Sequence, residues 1–142
     1  MYNFRKSKKG FTLIELMVVV AIIGVLALLG LRMYTGQQEK AKNAIVKANA
    51  GTTQTLLQAN LADATYSDAA TAVASLTGHG MRNPHTSSAL TIESVATAAL
   101  PTTAGPKGGV VVCQATTVPE SYRIRGYDGN GLPVGDEMTA QK

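Results

Sequence analysis

The stretch FTLIELMVVVAIIGVLALLGL, from Phe11 to Leu31, is the most apolar part of the chain and decides its fold. An α-helix rises about 1.5 Å per residue, so this run is long enough to cross the roughly 30 Å hydrocarbon core of a bilayer. The sequence therefore predicts a membrane-spanning helix close to the N-terminus.

Basic residues without any acidic neighbour precede this run: Arg5, Lys6, Lys8 and Lys9. Segments rich in Lys and Arg stay on the cytoplasmic side of a membrane. The N-terminus is therefore predicted to be cytoplasmic, with everything after Leu31 on the far side. The same four residues account for the formal net charge of +4. The basic balance thus belongs to a targeting segment and does not indicate nucleic acid as a partner.

Two simpler kinds of N-terminal segment fit the run less well. A secretory signal peptide has an apolar stretch of about 7–15 residues followed by a cleavage site of small residues, whereas this run is longer and leads into a polar, helix-forming sequence. A plain signal anchor fits the length but leaves Glu15 unexplained. A carboxylate costs about 2.5–3.5 kcal/mol near a bilayer centre by insertion scales, and less nearer the interface. Glu15 is therefore predicted to be functional.

The segment KKGFTLIELMVVVAIIGVLALLG, residues 8–30, resembles the N-terminus of type IV pilins and of the related pseudopilins. The resemblance rests on a basic leader ending in glycine, then phenylalanine, then an apolar run with glutamate at the fifth mature position. It implies cleavage after Gly10 by a membrane-embedded prepilin peptidase and N-methylation of the new N-terminus, Phe11. Glu15 matches the glutamate of that pattern. Because an unpaired carboxylate in an apolar filament core is costly whereas a paired one is tolerable, we predict that Glu15 pairs with the α-amine of another subunit and so sets the register in assembly.

The sequence departs from this family pattern at one position. Relatives often carry a helix-breaking proline at the twenty-second mature position, where this chain has Arg32. Gly24 and Gly30 remain as weak points, because glycine costs roughly 0.5–1 kcal/mol relative to alanine inside a helix. Any melting of the helix in a filament is expected to centre on these two glycines.

Beyond Leu31 the sequence predicts an amphipathic helix that continues to about Asp63, with no proline to interrupt it. Its apolar stripe is expected to comprise Ala41, Ala44, Ile45, Ala48, Thr52, Thr55, Leu56 and Ala59. The predicted organisation is a cleaved leader over residues 1–10, a transmembrane and filament-core helix over 11–31, and a second helical half with a globular head over 32–142.

The head sequence predicts a short helix over residues 67–76, followed by strands. The strands are expected at residues 90–96, 109–115, 121–127 and, as a short piece, 132–134. Alternation in SYRIRGY places Tyr122 and Ile124 on one face, with Arg123 and Arg125 on the other. The predicted fold class is α+β. The resemblance implies the pilin fold, in which a long N-terminal helix with a protruding apolar half packs against a small antiparallel sheet.

Few residues of the head suggest chemistry. Cys113 is the only cysteine, so the chain forms no intramolecular disulfide, and the residue is expected to be buried in the strand VVVCQA. The two histidines, His79 and His85, lie in a stretch rich in glycine, proline and asparagine. Because the sequence contains no clustered set of catalytic or metal-binding residues, we predict neither an enzyme nor a cofactor.

The segment DGNGLPVGDE, residues 128–137, carries oxygen ligands of the kind that Ca²⁺ binds: Asp128, Asn130, Asp136 and Glu137. It begins like an EF-hand loop and then departs from that pattern. A hairpin turn is the favoured interpretation, because Asp-Gly and Asn-Gly tolerate positive φ. No metal site is therefore predicted. Calcium binding here is the alternative, and it would favour the pseudopilin branch, whose major members often bind calcium near this end.

The resemblance implies a structural function. The chain is expected to be a major pilin, held in the inner membrane as a single-pass precursor and then assembled with copies of itself into an extracellular type IV pilus. Its partners are the prepilin peptidase and the inner-membrane assembly machinery, and such fibres serve adhesion, twitching motility or DNA uptake. The alternative is a major pseudopilin of a type II secretion system, which forms a short periplasmic piston.

Overall fold

The structure, a computed structural model, describes residues 10–63, 66, 68–76, 78, 80–95, 99–102, 105–114 and 121–141. Its elements are the helices α1 (Leu13–Asp63) and α2 (Ala69–Ala74), and the strands β1 (Ile92–Val95), β2 (Val110–Gln114), β3 (Ser121–Tyr127) and β4 (Pro133–Gln141). The chain divides into two compact units, Met1–Gln38 and Glu39–Lys142. Predictions made for residues 1–9, Ser67, His79, Ala96 and Ala115 fall outside the described residues.

Helix α1 runs without interruption over 51 residues, which confirms the single long helix expected from the sequence. Within the unit Glu39–Lys142, its buried side chains recur every three or four positions, as one helix face requires. They are Val46, Ala50, Thr53, Leu57 and Leu61. The hydroxyl of Thr53 donates to the carbonyl of Asn49, so this buried polar atom is satisfied within the helix.

The predicted apolar stripe of α1 is wrong by about one position. Seven of its eight residues are exposed, and only Leu56 is half-buried. Successive residues of a helix point about 100° apart, so the predicted stripe and the buried stripe lie on adjacent faces of α1. Both stripes contain small or apolar residues. Apart from Ile45 and Leu56, the predicted stripe consists of alanine and threonine. The buried stripe contains Val46, Leu57 and Leu61, whose larger side chains gain more free energy from burial.

Helix α2 begins with a capping box. The carboxylate of Asp68 accepts a hydrogen bond from the backbone N–H of Thr71 at 2.8 Å, and the Thr71 hydroxyl accepts one from the backbone N–H of Asp68 at 3.4 Å. Hydrogen bonding from the Thr71 amide holds the pKa of Asp68 below its ordinary value, because the ionised carboxylate is the better acceptor. The short helix is confirmed, although it ends earlier than predicted.

The strands form one sheet in the order β1-β2-β3-β4. The pairs β2–β3 and β3–β4 are antiparallel, but β1 runs parallel to β2, with Ile92 opposite Val110. The α+β fold is therefore confirmed, while the expectation of a wholly antiparallel sheet is wrong. Parallel neighbours need a connection that crosses back over the sheet, usually a dozen residues or more. The chain between β1 and β2 comprises residues 96–109, and nothing in their composition signals the direction of the strand that precedes them.

Strand β4 is longer than predicted, covering Pro133–Gln141 rather than residues 132–134. It is an edge strand with mostly exposed side chains, so it lacks the apolar alternation from which strands are recognised. Two glutamines of α1 satisfy its outer backbone groups. The side-chain amide of Gln54 donates to the carbonyl of Thr139 at 2.7 Å, and Gln58 both donates to and accepts from the backbone of Gln141.

The sheet carries a core on each face. Buried side chains on the face that packs against the helices are Ala50, Leu57, Leu61, Ala69, Ala72, Leu76, Val110, Val112, Tyr122, Ile124 and Ala140. The other face holds a smaller cluster of Leu100, Val111, Cys113 and Tyr127. The alternation predicted for β3 is therefore confirmed. The second cluster is fixed by the hydroxyl of Tyr127, which donates to the carbonyl of Pro101 at 2.7 Å.

Gly126 lets helix α1 approach the sheet closely. A Cβ atom built on this glycine would lie 2.6 Å from Cγ1 of Val46 and 3.2 Å from the Val46 carbonyl oxygen. Since the second of these atoms belongs to the backbone, any larger residue at position 126 would have to move the helix.

We expect Gly126→Ala to lower the free energy of unfolding by about 1–3 kcal/mol, the usual range for an overpacked core. Gly51→Ala is the matched control, because Gly51 lies in α1 with open space around its Cα. It should instead stabilise the protein by about 0.5–1 kcal/mol, since alanine loses less entropy in a helix. Denaturant unfolding in detergent, followed by the fluorescence of the buried tyrosines, measures both. Equal stability of the two variants would contradict the close approach at Gly126.

Candidate functional site

The candidate site lies at the start of α1. Gly10 and Phe11 precede the helix, which begins at Leu13, and both residues are exposed. The side chain of Phe11 is 86% exposed. The peptide bond between them is therefore in non-helical, accessible chain, as a peptidase substrate must be. This geometry does not test the cleavage after Gly10 or the methylation of Phe11, and both remain predictions.

Thr12 and Glu15 form a capping box at the first turn. One carboxylate oxygen of Glu15, Oε2, accepts hydrogen bonds from the backbone N–H of Thr12 at 2.9 Å and from its hydroxyl at 2.7 Å. In return, the Thr12 hydroxyl accepts from the backbone N–H of Glu15 at 3.3 Å. These reciprocal bonds satisfy donors that a helix terminus otherwise leaves open.

The capping box explains how the chain tolerates a carboxylate beside an apolar run. A negative charge in the first turn of a helix interacts favourably with the helix dipole. Sequence reasoning identified Glu15 but missed Thr12, although a threonine three residues before an acid and an apolar run is a recognised signature of a helix start. Glu15 is thus held in place by its own helix before any other molecule approaches it.

The apolar part of α1 is exposed along its length. No charged residue occurs from Leu16 to Leu31. The helix is long and apolar enough to span a membrane, and none of its most apolar window is buried within the chain. Side chains such as Leu13, Ile14 and Leu28 are more than 70% exposed. A continuous apolar surface of this size marks a site for lipid or for another protein.

Gly24 and Gly30 are helical, so the structure contains no break at either residue. A Cβ atom built at either position meets nothing within 4 Å. Neither glycine is therefore required by a close contact within the chain. Their predicted role as weak points of the helix in a filament stays a prediction.

Residues 128–132 form the favoured hairpin turn. The carboxylate of Asp128 accepts hydrogen bonds from the backbone N–H groups of Asn130 at 2.8 Å and Leu132 at 2.9 Å. Gly131 adopts φ +81°, which the turn requires and glycine provides without strain. Glu137 lies further along, on β4, and pairs with Arg123 at 3.3 Å. In the part of the chain that the structure describes, no three acidic, histidine or cysteine side chains cluster as metal ligands would.

Cys113 lies in the middle of the sheet and is buried, as predicted. Burial raises the pKa of its thiol, and the nearby carboxylate of Glu137 adds to this effect. Because the thiolate is the reactive form, the environment of Cys113 opposes nucleophilic chemistry.

We expect calcium removal to leave the thermal stability of the protein almost unchanged, because the carboxylate of Asp128 already serves two backbone donors. Melting of the full chain in detergent, with EGTA or with added Ca²⁺, measures this effect. Asp136→Asn is the matched control, because it removes a candidate calcium ligand that lies outside the turn of residues 128–132. A loss of several degrees with EGTA that Ca²⁺ restores would reverse the assignment of this loop.

The start of α1 lies within a segment that is similar to known proteins. Residues 5–31 match the family model described as the prokaryotic N-terminal methylation motif. The fimbrial protein EcpB of Eikenella corrodens is 47% identical over 56 residues, which are 39% of this chain and 35% of that protein. The type IV major fimbrial protein FimA of Dichelobacter nodosus is 39% identical over 64 residues, 45% of this chain and 40% of that protein.

The type IV major pilin protein PilA of Myxococcus xanthus is 45% identical over 47 residues, which are 33% of this chain and 21% of that protein. The chain thus matches less than half the length of each of these relatives. No solved structure matches the chain. The methylation motif and the fimbrial relatives together support the type IV pilin family for this chain.

Proposed function

We propose that this chain is a structural subunit, the major pilin of a type IV pilus. The observation that carries the proposal is the exposed apolar helix headed by the Thr12–Glu15 capping box, within the segment that matches the methylation motif. Such a helix needs either lipid or copies of itself around it. The relatives are named fimbrial or pilin proteins, which favours a pilin over a pseudopilin of a type II secretion system.

The precursor is stored in the inner membrane, with its basic N-terminus in the cytoplasm. A prepilin peptidase removes residues 1–10, residues 11–31 become the membrane and filament-core helix, and residues 32–142 carry the head. Cutting before an apolar run, rather than after it, leaves a subunit that keeps its anchor. It also creates a free α-amine on Phe11, directly beside the capping box. The mature chain then remains in the membrane until the assembly machinery extracts it into the extracellular fibre.

Assembly pairs the α-amine of one subunit with Glu15 of another. An α-amine has a pKa of about 7.7–8.0, so it carries a positive charge at neutral pH. Methylation keeps the amine basic. The capping box uses only Oε2 of Glu15, and Oε1 has no hydrogen-bond partner among the described residues. This oxygen is free to accept from an incoming amine without disrupting the helix start. Since breaking a buried ion pair costs about 3–5 kcal/mol, the pair fixes the register between subunits.

The first test of this function concerns the N-terminus of the assembled subunit. Mass spectrometry of sheared surface fibres should show a chain that starts at methylated Phe11, because the peptide bond after Gly10 is the predicted cleavage site. Fibres whose subunits retain Met1 would contradict the maturation scheme. The membrane fraction of cells lacking the peptidase provides the uncut control.

The second test replaces the carboxylate at the helix start. Glu15→Val should leave membrane insertion and cleavage after Gly10 largely intact, because the apolar run is unchanged or extended. It should reduce sheared fibre by at least about tenfold, since the cost of an unpaired buried charge corresponds to more than that factor. Fractionation of cells into membrane-held, processed subunit and sheared fibre measures both quantities. Normal fibre yield would rule out the role assigned to Glu15.

Two variants serve as controls for Glu15→Val. Met17→Val changes an exposed apolar side chain in the same turn region without affecting any charge, so its fibre yield should equal that of the unmodified protein. Thr12→Val removes the capping hydroxyl and keeps the carboxylate, so its loss of fibre should be smaller. A loss in Thr12→Val as large as in Glu15→Val would mean that Glu15 acts only as a helix cap.

A further inference from the structure

The head contains an open apolar groove beside the first strand. Its volume is about 540 Å³, and it lies between α2, the chain around Met81 and the start of β1. Its lining includes the side chains of Leu76, Met81, Ala89, Leu90 and Ile92, with Arg82 among them. Volumes of about 300–1,000 Å³ with a mainly apolar lining are typical of ligand-binding pockets, so the groove has ample room for an apolar side chain.

The head also presents one apolar side chain that matches such a groove. Leu132 is 47% exposed and, beyond α1, it is the only exposed large apolar side chain among the described residues. It lies at the β3–β4 turn, directly before Pro133. Its backbone N–H donates to the carboxylate of Asp128, so the turn holds Leu132 in a fixed position. A preorganised apolar side chain loses little conformational entropy on binding.

The charges of the two surfaces are complementary. The hairpin segment 128–137 contains three acidic residues and no basic one, and because Glu137 is already paired with Arg123, the other two carry the acidic charge available to a partner. Among the described residues, the groove lining contains the basic Arg82 and no acidic residue. Arg82 donates to the carbonyl of Ser87 at 3.1 Å, and it forms no ion pair with any residue that the structure describes. Opposite charge around an apolar contact selects the partner and its orientation.

The topology of the sheet separates the two surfaces. β1, which borders the groove, is one edge of the sheet, and β4, which begins just after Leu132, is the other edge. One head therefore presents a donor surface at one edge and an acceptor surface at the opposite edge. A contact between two different patches of the same molecule is heterologous, and it extends into a ring or an open filament instead of stopping at a dimer.

We infer that successive heads in the fibre are joined by Leu132 of one copy inserted into the groove beside β1 of the next. This inference rests on the proposed function, since the fibre brings the heads to a high local concentration. The occupant of the groove is thus a second copy of this chain. The contact adds a directional, side-chain-specific link to the packing of the apolar helices.

Disulfide trapping in intact fibres tests the contact. Leu132→Cys and Ala89→Cys, combined in one full-length chain, place a thiol on each surface. Brief treatment of fibres with diamide should then give a ladder of cross-linked multimers on a non-reducing gel. The native Cys113 is buried, so the unmodified protein should give monomer only. Leu132→Cys combined with Ala62→Cys, at an exposed position of α1, is the matched control and should also give no ladder.

A mixture of the two single variants in the same fibre distinguishes the kinds of contact. A heterologous contact yields dimers from the mixture and nothing from either variant alone. Dimers from Leu132→Cys alone would show a symmetric contact and overturn the inference. If the double variant forms fibres but gives no ladder, the inferred contact is overturned, whereas the proposed function stays intact. Absence of fibres from the unmodified chain would overturn both.

A second measurement covers the case in which the double variant does not assemble. Leu132→Ser should lower the fraction of subunit in sheared fibres by about fivefold or more, the effect expected for losing a central apolar anchor. Processed subunit in the membrane should remain unchanged. Asn130→Ser, in the same turn, should assemble normally. Equal fibre yields from Leu132→Ser and the unmodified chain would contradict the contact.

Discussion

The structure depends on one constraint: a single helix carries two apolar surfaces that need different partners. In the unit Glu39–Lys142, the stripe from Val46 to Leu61 is covered by the sheet, and Gly126 allows the close approach. In the unit Met1–Gln38, the apolar side chains from Leu13 onward have no cover within the chain. The head thus folds around its own part of α1, whereas the N-terminal part is completed only by lipid or by other subunits.

The capping box resolves a conflict at the start of that helix. A carboxylate opposes membrane insertion, yet under the proposed function the same carboxylate receives an amine during assembly. Thr12 reduces the first cost by donating to Oε2, and it leaves Oε1 for the second role. Under the proposed function, one residue pair therefore serves both the precursor and the assembled state. A hydrophobic residue in place of Glu15 would suit the membrane better and would lack the carboxylate to which we assign the register.

Sequence reasoning succeeded where a local signal dominates. The apolar run, the long helix and the alternation of Tyr122 and Ile124 in β3 were all predictable, because each depends on a pattern within a few turns or one strand. It failed where distant parts of the chain decide. The buried stripe of α1 depends on which side chains the sheet covers, and the parallel direction of β1 depends on its pairing with β2, a strand that begins 15 residues later at Val110. Strand β4 was underestimated because Gln54 and Gln58 satisfy its backbone from another element. Thr12 is a different case, since its signal was local and was overlooked.

Helix packing and head contacts supply different properties to a fibre. An apolar helix surface associates strongly but with little direction, because dispersion and apolar burial depend on area more than on the identity of each side chain. Register requires a polar pair, which is the role proposed for Glu15 in the helix. Rotation and polarity of successive heads require a second, asymmetric contact, which is the role inferred for the turn at Leu132 and the groove beside β1. Because these are two different patches of one head, such a contact favours growth by addition over closure into a pair.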